Sequence, residues 1–476
     1  MSPLFETAEA LEEGARVIAE ALRSSHWRDY LRATGRLCLQ FGYSDSGRYV
    51  GQLAASYLIE RLRLKVVEAL VRAGLTDIEV VLFDTHGESI GRGAHPGSLT
   101  DRLRYLSPSV SRRAFAQAGV ALREEAAFQG GDGYLLFGTP ALAQATIARI
   151  AEHAFAEIPS GDDAIYAEPD FAADFFATVG SGMSELVEDP GYAALLGAFG
   201  PALLDPTGSA PSARQSDSGG PAVIRHPREL RAIPNNAILQ QLGWCANTLH
   251  GLGAGRGAAP GGFRPLRADS PRFRRAMDFA AHALAHSDID VLRAVVGLID
   301  PGVWLDRAPH ALVPGRAASL VAVARALDRL DLWRPVMAMF RRIQVDRLAL
   351  AAAWPDAPRM AAREMLLHAL RIAAIQRIWL LGTEIPEFSP RHVLTRQALE
   401  RRLLHLDVPA CLDLMAEIFP NAPDPAGTRD YAEPPGARNA VSYGREHAEI
   451  FEPMRRLFAV VREIGAAITH EVGALG

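Results

Sequence analysis

The stretch Ile78-Glu79-Val80-Val81-Leu82-Phe83-Asp84-Thr85-His86-Gly87-Glu88-Ser89-Ile90-Gly91-Arg92-Gly93 decides how the chain is read. Five of its first six residues are apolar, Glu79 being the exception, and three are β-branched, which predicts a buried strand over 78–83. The strand runs into a glycine-rich loop carrying Arg92. Such a loop brings backbone N–H groups close to an anion, and the guanidinium can grip that anion as a fork. About forty residues earlier, Arg36–Gly42 predicts another strand. It runs into Tyr43-Ser44-Asp45-Ser46-Gly47-Arg48, read as a loop over 43–47 that carries an acid and an arginine. A third strand end lies at the N-terminus, where Pro3-Leu4-Phe5-Glu6-Thr7 ends in an acid and Thr7 is placed to cap a helix.

Helical spacing joins these strands. Leu11, Ala15, Ile18 and Leu22 share one face of a first helix. Leu53, Tyr57, Leu64, Val67 and Val71 are read as the inner face of a long one closed by Gly74. A β-α-β-α-β order implies parallel strands, with Glu6, Asp45 and Arg92 just beyond their C-terminal ends. That edge is where sites are built in α/β folds. A fourth extended segment is expected over 120–128, leading into Gln129-Gly130-Gly131-Asp132-Gly133. Helix is expected over 140–200, a mobile polar loop over 205–220, and mainly amphipathic helix beyond Pro271. Breaks are expected at Pro301, Pro309, Pro355, Pro386 and Pro390, with a loop over 421–436 before a final helix.

The chain has 476 residues, 49% of them apolar, enough for a large core. A net charge of −5 argues against a nucleic-acid surface. Cys38, Cys245 and Cys411 are far apart and show no metal spacing, which points away from a disulfide framework and a structural zinc site. Residues 1–13 carry acids where a secretion signal needs a basic segment, and the apolar run 348–354 is too short for a bilayer. A cytoplasmic protein is the expectation.

Four of these segments, in order, resemble the C-terminal half of the phosphoenolpyruvate carboxylase family. They are Pro3-Leu4-Phe5-Glu6-Thr7, Gly42-Tyr43-Ser44-Asp45-Ser46, Ser89-Ile90-Gly91-Arg92-Gly93 with Pro96, and Leu230-Arg231-Ala232-Ile233-Pro234. The resemblance implies the second half of a (β/α)8 TIM-like barrel over 1–265 and a mainly α-helical region over 266–476. It implies Mg²⁺ or Mn²⁺ held by Glu6 and Asp45. It also implies substrate contacts from Arg92, Arg231, Gly91 and Gly93, with Arg48 and Arg92 as the catalytic arginines. Phosphoenolpyruvate and bicarbonate would be the substrates, oxaloacetate and phosphate the products, and a homo-oligomer the assembly.

The sequence departs from the family pattern at three places. Arg48 stands where the family has a lysine, and arginine keeps its proton near neutrality. His86 replaces an arginine, with Glu88 at a glycine position, and Ala210 replaces another arginine, with Arg214 nearby. The resemblance also calls for an N-terminal half, so a separate polypeptide is an expected partner. The alternative is a non-catalytic remnant or regulatory subunit that keeps the fold.

Overall fold

The computed structural model describes residues 2–87, 89–126, 136–159, 161–204, 224–259, 261–388, 394–421, 442–474 and 476. The segments 129–133, 205–220 and 422–436, with Glu88, Ala210 and Arg214, lie outside them. The protein is predominantly helical, 72%, around a small parallel sheet.

Four strands build the sheet: β1 (Leu4–Phe5), β2 (Arg36–Gly42), β3 (Glu79–Thr85) and β4 (Ala121–Ala126), side by side in sequence order and all parallel. Among the described residues this is an open sheet, with no pairing between β4 and β1, rather than a closed barrel. In β2 the alternation is plain, with Leu37, Leu39 and Phe41 buried. Their neighbours Val80 and Leu82 join them in a core with Leu11, Ile18, Ile59, Leu62 and Val66.

The crossovers are helical. Thr7 caps α1 (Ala8–Ala21), accepting a hydrogen bond from the Ala10 N–H at 3.1 Å. A second helix, α2 (Ser25–Thr34), stops at Gly35 in the left-handed region. Residues 43–47, expected as a loop, open a helix instead: α3 (Tyr43–Val50) comes directly after β2. Gly47 sits inside it because the Gln52 side chain occupies the space a Cβ would need. The long helix α4 (Gln52–Arg72) has the expected extent, but its buried face differs. Val71 is 49% exposed and Tyr57 and Leu64 are half-buried, whereas Ile59, Leu62, Val66 and Leu70 face the sheet. The competing apolar stripes around this helix explain the misplacement, since Leu53 and Ala54 enter a second, helical core.

That second core extends to Val461 and takes residues from both sides of position 265. Its longest pieces include the helices Trp333–Ala353, Ala362–Glu384 and Glu452–Val472. Among the described residues Ala362–Glu384 is long and apolar enough to cross a membrane. Half of its apolar window is buried, however, with Ile375, Ile378 and Leu381 in the core.

Candidate functional site

Register brings the two predicted acids together. Phe5 pairs with Phe41, so the next residue, Glu6, comes level with Gly42. A Cβ at position 42 would lie 2.6 Å from Glu6 Cβ, so only glycine lets the two strand ends close. Asp45 stands three residues on, in the first turn of α3, where the helix dipole favours a carboxylate. Burial, and then the charge of Asp45, raise the Glu6 pKa above the ordinary carboxylate value, while Arg48 pulls it down.

Arg48 is buried and heavily engaged. It pairs with Asp45 at 2.6 Å, donates to the Leu230 carbonyl at 2.7 Å and lies 4.5 Å over the Tyr49 ring. The contact with Leu230 brings the chain position of Arg231 next to this corner. Arg231 is an exposed N-terminal flank of the helix Ala232–Gln241, and its side chain makes no capping hydrogen bond.

The glycine loop closes the arrangement on the β3 side. Ile90–Arg92 is a single 3₁₀ turn, ended by Gly93 at φ +84°, where a Cβ would strike Tyr43. Arg92 is 3% exposed, and its guanidinium packs over Gly87, whose N–H donates to the Arg92 carbonyl at 2.9 Å. His86 is fully buried. Burial, then Arg102 and Arg92, push its pKa down to about 3, so it is a neutral imidazole. His95 is also structural: it bridges the Arg275 carbonyl at 3.0 Å and the Gly97 N–H at 3.1 Å.

Several residues that the sequence reading did not single out hold these parts in place. The Gly91 carbonyl accepts from Gln52 Nε2 at 2.6 Å and from Asn236 Nδ2 at 2.5 Å, and Asn247 donates to Asn236 Oδ1 at 3.0 Å. Gly476 packs against Gly91 and donates its N–H to Gln240 Oε1 at 3.0 Å. Below the loop, Asp84 on β3 takes two bonds from Arg63 Nη2 at 2.6 and 2.7 Å and one from the Tyr43 hydroxyl at 3.3 Å. Burial pushes Asp84 upward, and the Arg63 charge and hydrogen bonds oppose that rise. Asn235 and Asn236 are fully buried in the helix Ala232–Gln241, where amides need hydrogen-bond partners.

Chemically, the corner offers two carboxylates and one arginine, partly open to solvent. Among the described residues no group of three or more His, Cys, Asp and Glu side chains converges. A Mg²⁺-like ion fits such a donor set, since it takes one or two carboxylates and completes its shell with water and substrate oxygens. Burial and then the Asp45 charge raise Glu6, and a bound divalent charge would oppose both.

Comparison with known proteins agrees with the sequence motifs. Residues 1–100 match the family model described as phosphoenolpyruvate carboxylase. The chain is 29% identical over 201 residues to the phosphoenolpyruvate carboxylase of Mycobacterium avium, covering 37% of this chain and 20% of that protein. It is 40% identical over 92 residues to that of Nocardia farcinica, covering 19% and 10%. With the Corynebacterium diphtheriae protein it shares 28% identity over 333 residues, covering 64% and 34%. The matched segments thus span about a third or less of these relatives' lengths.

Proposed function

Starting from this kinship with phosphoenolpyruvate carboxylases, we propose that the chain carries the metal- and phosphate-binding part of a site that carboxylates phosphoenolpyruvate. The observation that supports it best is the convergence of Glu6 and Asp45 across Gly42, with Arg48 between them and the loop before Arg231. Glu6 and Asp45 would hold Mg²⁺ or Mn²⁺, which when bound supplies positive charge for a developing enolate oxygen. Arg92 and Arg231, with the Gly91 and Gly93 backbone, would bind the phosphate. Arg48 would neutralise negative charge as phosphate leaves the enol oxygen for bicarbonate, forming carboxyphosphate. Carbon dioxide released from that carboxyphosphate would then be taken up by the enolate, giving oxaloacetate and phosphate. Among the described residues β1 and β4 each pair on one side only, which suits a further polypeptide that supplies more strands.

A second reading rests on Arg48, which is committed to Asp45 and to the Leu230 carbonyl, and on a neutral His86 at an arginine position. It makes the chain a remnant or regulatory subunit that binds the ion without turnover. The deciding experiment couples oxaloacetate formation to malate dehydrogenase, with Mn²⁺, phosphoenolpyruvate and bicarbonate, beside direct Mn²⁺ titration by electron paramagnetic resonance. Turnover abolished by Glu6→Gln or Asp45→Asn supports the enzyme. Mn²⁺ binding without product, with or without an N-terminal-half protein, supports the remnant. Loss of neither activity nor Mn²⁺ binding in both variants would overturn the site.

A further inference from the structure

A second arginine holds the glycine loop from outside it. Arg102 lies on the helix Leu99–Leu106 and is 8% exposed. Its Nη2 donates to the Gly87 carbonyl and lies 3.4 Å from His86 Nδ1. That helix is itself anchored. At its start the Ser98 hydroxyl accepts from the Asp101 N–H at 3.1 Å, and near its end the Tyr105 ring stacks on Phe279 with centroids 5.3 Å apart. Arg272 Nη1 also donates to the Tyr105 carbonyl at 2.9 Å. Arg102 therefore reaches back to the loop from a support fixed on the helix Pro271–Ala285.

The two arginines meet at Gly87. Its N–H donates to the Arg92 carbonyl, and its carbonyl accepts from Arg102. The Arg92 guanidinium fills the space that a Cβ at position 87 would take. Glycine has no side chain to pack and few conformational limits, so the bonds to its backbone fix where it sits. The bond from Arg102 is charge-assisted, the stronger kind. His86 beside it is a neutral imidazole and adds no charge to the loop.

We propose that Arg102 is a positioning residue for Arg92. By holding the Gly87 carbonyl it fixes the seat of the Arg92 guanidinium, and so sets how tightly the loop grips the phosphate of phosphoenolpyruvate. Arg102 does this without touching the substrate. The inference rests on the reading of Arg92 as a phosphate contact.

Calorimetric titration of the full chain with phosphoenolpyruvate at saturating Mn²⁺, beside titration with Mn²⁺ alone, tests this. Arg102→Gln should weaken phosphoenolpyruvate binding about tenfold, the factor that one hydrogen bond to a charged group supplies, and leave Mn²⁺ affinity unchanged. Arg102→Lys still offers the carbonyl a donor and a charge and should recover most of the loss. In the Arg92→Gln background Arg102→Gln should add nothing, because the grip it sets is already gone. An additive loss there, wild-type phosphoenolpyruvate affinity in Arg102→Gln, or an equal fall in Mn²⁺ affinity would overturn the proposal while leaving the role of Arg92 intact. If Arg102→Gln fails to fold, Gly87→Ala makes the comparison, since its Cβ displaces the Arg92 guanidinium. A selective loss of phosphoenolpyruvate binding supports the proposal, and wild-type binding overturns it. Failure of the wild type to bind phosphoenolpyruvate, or undiminished binding in Arg92→Gln, overturns the phosphate reading itself and this inference with it.

Discussion

Replacing Arg63 by methionine breaks the buried pair with Asp84 that lies below the glycine loop, together with a 3.3 Å contact to the partly exposed Glu124. The Arg63 side chain is 0% and that of Asp84 4% exposed, and two bonds of 2.6 and 2.7 Å join them. Methionine keeps the apolar length of the side chain but leaves the Asp84 carboxylate with the Tyr43 hydroxyl and the repelling charge of Glu124. Removing one partner of a buried pair costs about 3–5 kcal/mol, which would consume much of a typical domain stability of about 5–15 kcal/mol. Arg63→Met/Asp84→Leu removes both charges together and should recover at least half of that loss. Urea unfolding followed by far-UV circular dichroism measures both. A pH series adds a signature. Without Arg63 the Asp84 carboxyl is raised by burial and then by the Glu124 charge, so its penalty is full above the raised folded value and vanishes below the unfolded one. The Arg63→Met deficit should therefore shrink as pH falls from 7 towards 4. A single variant losing less than about 1 kcal/mol, or a double variant no better than the single, would refute the reasoning.

Three other outcomes are expected. Mn²⁺ binding, read by electron paramagnetic resonance, should weaken as pH falls through the raised Glu6 value. Arg48→Gln removes the charge that lowers that value, so the loss should move to higher pH. His86, held down at about 3, stays neutral in the fold while the unfolded chain takes a proton below pH 6.5. Its share of stability is present above pH 6.5 and lost on acidification, about 2 kcal/mol at pH 5, so His86→Gln should flatten the pH dependence of the urea midpoint. Gly42→Ala sets a Cβ 2.6 Å from Glu6 Cβ and should cost about 1–3 kcal/mol and weaken Mn²⁺ binding.

Local chemistry carried much of the reading. The bounds of β2, the Thr7 cap and the parallel α/β order come from period-two burial, a side-chain acceptor and helical spacing, all within a few residues. The nearness of Glu6 to Asp45 was legible because neighbouring parallel strands end at one edge. The start of α3 was missed because Gly47 looks like a turn until Gln52, five residues on, fills its place.

What the sequence determined on its own was therefore the set of elements, their parallel order and which acids and arginines stand at the strand ends. Only the tertiary structure decided how those groups are used. Asp84 became the buried partner of Arg63, Arg48 was tied to Leu230 from 182 residues away, and Gln52 and Asn236 met on one Gly91 carbonyl. Periodicity reports which face of a segment is apolar. A buried charge or amide must find its partner wherever packing places one, and chain order does not encode that distance.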